Sequence, residues 1–142
     1  MNAYDADILV WSERQSDLLR RRAAGDPVNE AELDWANIAE AIHDVGRSEL
    51  HSTRSLLRQA LRHMLKAEAW SSSRDAPNWR ADAIEFRRQA RDAFAPSMRA
   101  RIDLAELYAD ALAAVPATMD DQPPLPLPDV CPVTLDDLLG DD

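Results

Sequence analysis

The stretch WANIAEAIHDVGRSELHSTRSLLRQALRHML, residues 35–65, decides the fold. Trp35, Ile38, Ile42 and Val45 recur at steps of three and four. After Gly46, Leu50, Leu57, Leu61, Met64 and Leu65 resume the rhythm. Steps of three and four bring side chains to one face of an α-helix, whereas a strand would alternate every second residue. The spacing predicts an apolar stripe buried against other helices. Gly46 marks a break or kink, so this stretch reads either as one long helix or as two.

The same rhythm extends outward. Upstream, Tyr4, Ile8, Trp11 and Leu18 predict a helix from about Asp5 to Ala24. Arg20, Arg21 and Arg22 complement the dipole of its last turn, and Gly25-Asp26-Pro27 ends it. Asn29 with Glu32 matches a capping box for the next helix, with Asp34 as a rival cap. Downstream, Ser71 to Asp75 form a polar loop, and Pro77 suits a first helical turn. Trp79, Ala83, Phe86, Ala90 and Phe94 then repeat at helical steps up to Pro96. Met98, Ile102, Ala105, Ala109 and Leu112 form a last long stripe, closed by Val115 and Pro116.

Beyond it the chain changes character. Pro123-Pro124-Leu125-Pro126-Leu127-Pro128 favours an extended polyproline conformation. Thr134 caps a short terminal helix, Val133 can staple onto Leu138, and Gly140 stops it. Leu125, Leu127, Val130, Leu135, Leu138 and Leu139 are expected to anchor this tail. No strand pair or internal repeat is visible, and short loops between helices favour antiparallel neighbours. The expected architecture is all-α: an antiparallel bundle of four or five helices over 1–118. An extended Pro-rich C-terminal strap with a short terminal helix, 119–142, packs on it within one domain.

Charge narrows the function classes. The net charge is −10. From Asp120 onward there are seven carboxylates (Asp120, Asp121, Asp129, Asp136, Asp137, Asp141, Asp142) and no Lys or Arg, which leaves 19 acids against 16 bases before them. An acidic chain repels phosphate backbones, so no nucleic-acid partner is expected. The start of the chain lacks the basic and apolar runs of a signal peptide, and no stretch is apolar enough for a membrane helix, so no membrane partner is expected. A lone cysteine, Cys131, makes no internal disulfide, and the expected location is the cytoplasm.

Several segments, in order along nearly the whole chain, carry a family resemblance. They are Tyr4-Asp5 with Trp11, Asn37-Ile38-Ala39-Glu40-Ala41-Ile42, and Val45-Gly46-Arg47-Ser48-Glu49. Leu61-Arg62-His63-Met64-Leu65-Lys66 and Trp79-Arg80 with Glu85 and Arg88 follow, and Cys131-Pro132-Val133-Thr134-Leu135 completes the set. Together they resemble bacterial domain-of-unknown-function family twenty-nine. The resemblance implies an all-helical fold and no established activity. The family's helix usually carries two adjacent carboxylates near Glu40. Here Ala41 stands in place of the second.

Glu40 and His43 form Glu-x-x-His on one helical face, a spacing that di-iron bundles use twice, but no second copy is present. A surface salt bridge or solvent pair is the plainer account. His63, with Lys66 one turn on, could shuttle a proton near neutral pH or simply satisfy a carbonyl or carboxylate. Arg47, Arg80 and Arg88 with Glu40, Glu49 and Glu85 suit an internal ionic network or an anion pocket. The candidate polar cluster is therefore Glu40, Arg47, His63, Lys66, Arg80, Glu85 and Arg88. The runs Arg54, Arg58, Arg62 and Arg87, Arg88, Arg91 read as solvated faces that could also receive the acidic tail. Trp70, beside the serine loop, is expected to be partly exposed, and Cys131 to pack.

No phosphate loop, zinc spacing, calcium loop or nucleophile elbow appears. No catalytic residue, metal or cofactor is expected. The favoured function is a non-catalytic protein-interaction or regulatory module, with a protein partner or a second copy of the chain. The alternative is an enzyme or metal-binding bundle using Glu40 and His43, or His63 with nearby Arg and carboxylates.

Overall fold

A computed structural model describes residues 2–140, so Asp141 and Asp142 of the expected acidic tail lie outside the described residues. The architecture is all-α. Among the described residues six helices run in order: α1 (Ala3–Ala6), α2 (Ile8–Ala23), α3 (Trp35–Ala69), α4 (Ala76–Ala93), α5 (Leu104–Ala113) and α6 (Leu135–Leu139). Short 3-10 turns occupy Glu30–Glu32 and Pro96–Arg101. Among the described residues the one β feature is an isolated bridge between Met119 and Gln122. The chain divides into two compact units, Met1–Arg47 and Ser48–Asp142, and α3 contributes to both.

In the first unit the expected single helix from Asp5 to Ala24 is interrupted. Asp7 adopts extended backbone (φ −154°) and its carboxylate accepts the Val10 N–H, so it closes α1 and caps α2. A short polar side chain that can satisfy an orphan amide competes with continued helix at that position. At the other end, Gly25 takes φ +88°. The Asp26 N–H reaches the Arg21 carbonyl and the Gly25 N–H reaches that of Arg22, a Schellman closure that a side chain at Gly25 would strain.

α2 and the start of α3 pack around Trp11, Leu18, Leu33 and Ile38, with Tyr4 edge-on to Trp11 at 4.7 Å. The buried Gln15 amide is satisfied at both ends: its Nε2 donates to the Glu32 carbonyl and its Oε1 accepts the Asp34 N–H. Asn29 accepts the Ala31 N–H and starts only the 3-10 turn. Asp34, the rival cap, stands directly before α3. It accepts the Trp11 indole N–H at 2.9 Å and the Asn37 side-chain amide at 2.8 Å. These bonds, the Asn37 contact foremost, hold its carboxyl below the usual range.

α3 runs unbroken through Gly46 for 35 residues. A mid-helix glycine costs about 1 kcal/mol relative to alanine, too little to break a helix packed elsewhere. In the second unit α3 and α4 form an antiparallel hairpin. Thr53 lies against Ala93, His63 against Asp82 and Lys66 against Trp79, so one helix ascends as the other descends. The core holds Leu57, Leu61, Leu65 and Ala90 with Leu107, Tyr108 and Ala111 of α5 and Leu138 of α6. Pro77 sits in the first turn of α4, as the sequence predicts. The expected long stripe from Met98 to Leu112 is split. Pro96 opens a 3-10 turn, and Asp103 then caps α5 by accepting the Glu106 N–H at 3.2 Å.

The strap lies against the second unit's helices. The Leu125 N–H donates to the Ala69 carbonyl at 2.8 Å, satisfying a carbonyl that the end of α3 leaves open. The Trp70 indole N–H donates to the Gln122 carbonyl, and the Tyr108 hydroxyl to that of Pro128. Leu127 packs against two apolar clusters. Thr134 and Asp137 form the capping box of α6, and Val133 packs against the core cluster that includes Leu138. Two expectations fail here. Val130 is 78% exposed and Leu125 51%, so neither is a buried anchor. Trp70, expected to be partly exposed, is buried at 7% because the strap lies over it.

Candidate interaction surface

The polar candidates distribute over the two units. In the first unit Glu40 pairs with Arg47 at 3.6 Å, and Arg47 also pairs with Asp44. Both members of the Glu40–Arg47 pair are more than half exposed. His43 is exposed one turn from Glu40. In the second unit, His63 Nδ1 lies 2.8 Å from the Gln59 carbonyl, Nε2 lies 3.8 Å from Asp82, and the ring tilts against Phe86. The Lys66 ammonium sits 4.8 Å over the Trp79 ring. Glu85 receives two hydrogen bonds from Arg88 and one from Gln89, which bring its carboxyl down to about 2. Arg80 lines an open cleft of about 670 Å³ with Glu68 and Arg87. Among the described residues no three of His, Cys, Asp and Glu gather as a metal-binding group.

The arginine runs divide as well. Arg58 faces Asp110 at 3.5 Å and Arg54 donates to the Arg101 carbonyl. Arg87 donates to the Leu138 carbonyl at 3.0 Å and the Asp137 carbonyl at 2.8 Å, and Arg91 to the Gly140 carbonyl at 2.9 Å. These two receive the tail. They do so at the C-terminal end of α6, where cations complement the helix dipole.

The first unit departs most from the predicted burial. Of the stripe Trp35, Ile38, Ile42 and Val45, Ile38 alone is buried. Trp35 is 48% exposed, Ile42 70% and Val45 65%. The guanidinium of Arg22 partly covers Trp35, 5.9 Å from its ring. Ile8, Leu9 and Val10 in the first turn of α2 are also more than half exposed. Tyr4 lies beside Asp44 and Glu40. Partial desolvation, and then those two carboxylates, raise its hydroxyl pKa.

This geometry sits in a recognisable lineage. The family model described as "Domain of unknown function DUF29" matches residues 3–142. The chain belongs to the DUF29 family. It is also similar to a crystal structure of an alpha-helical protein of unknown function from Rhodospirillum rubrum. That match has 30% identity and a TM-score of 0.71, and covers 100% of this chain and 92% of that one. No curated protein matches. In this DUF29 chain the Cys131-Pro132-Val133-Thr134-Leu135 segment delivers α6 to the core, with the Cys131 thiol against the Val133 carbonyl at 3.3 Å. No described helix of this DUF29 chain is long and apolar enough to cross a membrane.

The sequence singled out no functional role for Ser71–Arg74 and Asp120, which line one cavity beside Trp70. Ser71 to Asp75 read as a loop and Asp120 as part of an acidic tail. The approach of these segments depends on contacts about fifty residues apart, for which a linear pattern carries no signal.

Proposed function

We propose that this protein is a non-catalytic docking module that takes a basic amphipathic helix of a partner protein on the Trp35–Ile42–Val45 stripe. The observation that carries this is the exposure of Ile42 and Val45 on a well-formed helix, at positions whose spacing is that of a packed seam. Large apolar side chains arranged along one helix and left in water are the usual footprint of a partner. Recognition of an amphipathic helix uses anchors at such steps. Charge selects the occupant. Residues 1–47 hold ten carboxylates and five arginines, and the whole chain carries −10. A basic helix is complementary to that field, whereas a second copy of the chain is repelled by it. A cytoplasmic location, suggested by the single cysteine, belongs to the same proposal.

Calorimetric titration with a designed amphipathic Lys/Leu helical peptide tests the proposal. Wild-type protein should bind and weaken as salt rises. The Ile42→Ser/Val45→Ser double variant should bind at least about tenfold more weakly, a loss of about 1.4 kcal/mol, with an unchanged melting temperature. Absence of binding by the wild type, or equal affinity of the variant, overturns the proposal. So does a wild-type dimer in light scattering that the double variant abolishes.

A further inference from the structure

A separate cavity in the second unit, of about 360 Å³, lies where the end of α3 meets the strap. Its size falls at the lower end of the range for small-molecule sites, about 300–1,000 Å³. Ala69, Trp70, Met119, Pro123 and Leu125 supply an apolar wall, and Ser71, Ser72, Ser73, Arg74, Asp120 and Gln122 a polar one. We propose that this cavity binds a free amino acid with a large apolar side chain: Arg74 takes its carboxylate, Asp120 its ammonium, and Met119 and Leu125 its side chain.

The argument begins with the two charged groups. Arg74 and Asp120 come from segments far apart in sequence, yet both line this one cavity, and neither joins an ion pair within 4 Å among the described residues. A guanidinium and a carboxylate that share a cavity without closing on each other complement a small zwitterion. Guanidinium geometry suits a carboxylate in particular.

The construction around them is specific. Met119 and Gln122 exchange both main-chain hydrogen bonds, at 2.9 and 3.0 Å, across a two-residue turn. Its central residues, Asp120 and Asp121, both take left-handed backbone, φ +52° and +62°. Such a turn favours Asn or Asp at its first position and Gly at its second, so Asp121 is the residue held against preference. An aspartate at the first position adds a carboxylate at the cavity. Trp70 is held by its hydrogen bond to Gln122, so this part of the apolar wall is in place before anything enters. Met119 adds a polarisable thioether that tolerates several side-chain shapes, and sulfur beside an aromatic ring is a favourable contact. Ser71 and Ser72 offer hydroxyls to the carboxylate end.

The test is calorimetry and thermal shift of the full chain with free leucine, methionine and phenylalanine. It is repeated with their N-acetyl and carboxamide derivatives and with the variants Arg74→Gln and Asp120→Asn. Wild-type protein should bind at least one free amino acid. Blocking either end should weaken binding at least tenfold, Arg74→Gln should mimic loss of the carboxylate, and Asp120→Asn loss of the ammonium. Asparagine is at home in the left-handed region, so Asp120→Asn keeps the turn. The blocked ligands test the same contacts without altering the protein. No binding of any free amino acid at millimolar concentration overturns the proposal. Equal binding of blocked and free forms, or of both variants and wild type, also overturns it.

Discussion

The indole N–H of Trp70 donates to the main-chain carbonyl of Gln122 at 3.1 Å, joining the end of the longest helix to the strap 52 residues later. Trp70 is thereby covered, and the strap is held beside the Leu125–Ala69 main-chain bond. Trp70→Phe keeps an aromatic ring and leaves the Gln122 carbonyl without that donor. It should destabilise the protein by about 1–2 kcal/mol in urea unfolding, from the lost hydrogen bond and slightly poorer packing. Hydrogen exchange at the Leu125 amide should accelerate in the same variant.

Leu57 is fully buried among Leu61, Leu107 and Leu138, whereas Val130 is 78% exposed. Leu57→Ala should lower stability by about 2–5 kcal/mol, from lost transfer energy and the cavity left behind. Val130→Ala should stay within about 0.5 kcal/mol of wild type. Chemical denaturation of the pair measures the contrast.

Gly46 sits within α3 with no atom positioned to meet an added methyl group, and its backbone φ lies outside the left-handed region. Gly46→Ala should therefore raise stability by about 0.5–1 kcal/mol, because alanine loses less backbone entropy on becoming helical. A raised melting temperature with unchanged helical circular dichroism is the expected result.

Acid should weaken the Glu85–Arg88 pair in a defined window. The folded Glu85 carboxyl is lowered from 4.5 to about 2, first by hydrogen bonds from Arg88 and then by Gln89. A depressed carboxyl stabilises the fold above its unfolded value, and that contribution disappears as pH falls from 4.5 towards 2. Glu85→Gln should flatten the part of the stability-versus-pH curve in that window and leave the slope near neutrality unchanged. The pair is solvent-exposed, so the flattening should be small and should shrink further in high salt.

Much of the local structure was readable from the residues. Thr134 with Asp137, Asp34 before Trp35, Pro77 in a first turn and the Gly25 stop all act within a few positions of themselves. Helical spacing likewise identified Leu57, Leu61 and Leu65 as a common face. Among the candidate polar residues, Glu85 with Arg88 and Glu40 with Arg47 pair as neighbours on their own helices. His63 with Asp82 and Lys66 with Trp79 needed the α3–α4 hairpin to meet.

Thus the chain's own order of residues determined where helices begin, end and turn, because caps, prolines and apolar steps act over one or two turns of backbone. Tertiary structure alone decided what covers each face. Ile38 and Ile42 belong to the same periodic pattern, yet one is buried against α2 and the other stands in water. Periodicity states which side chains share a direction; burial depends on whether another part of the chain arrives there. The strap over Trp70 and the tail carbonyls on Arg87 depend on such arrivals from about fifty residues away, for which no local pattern exists.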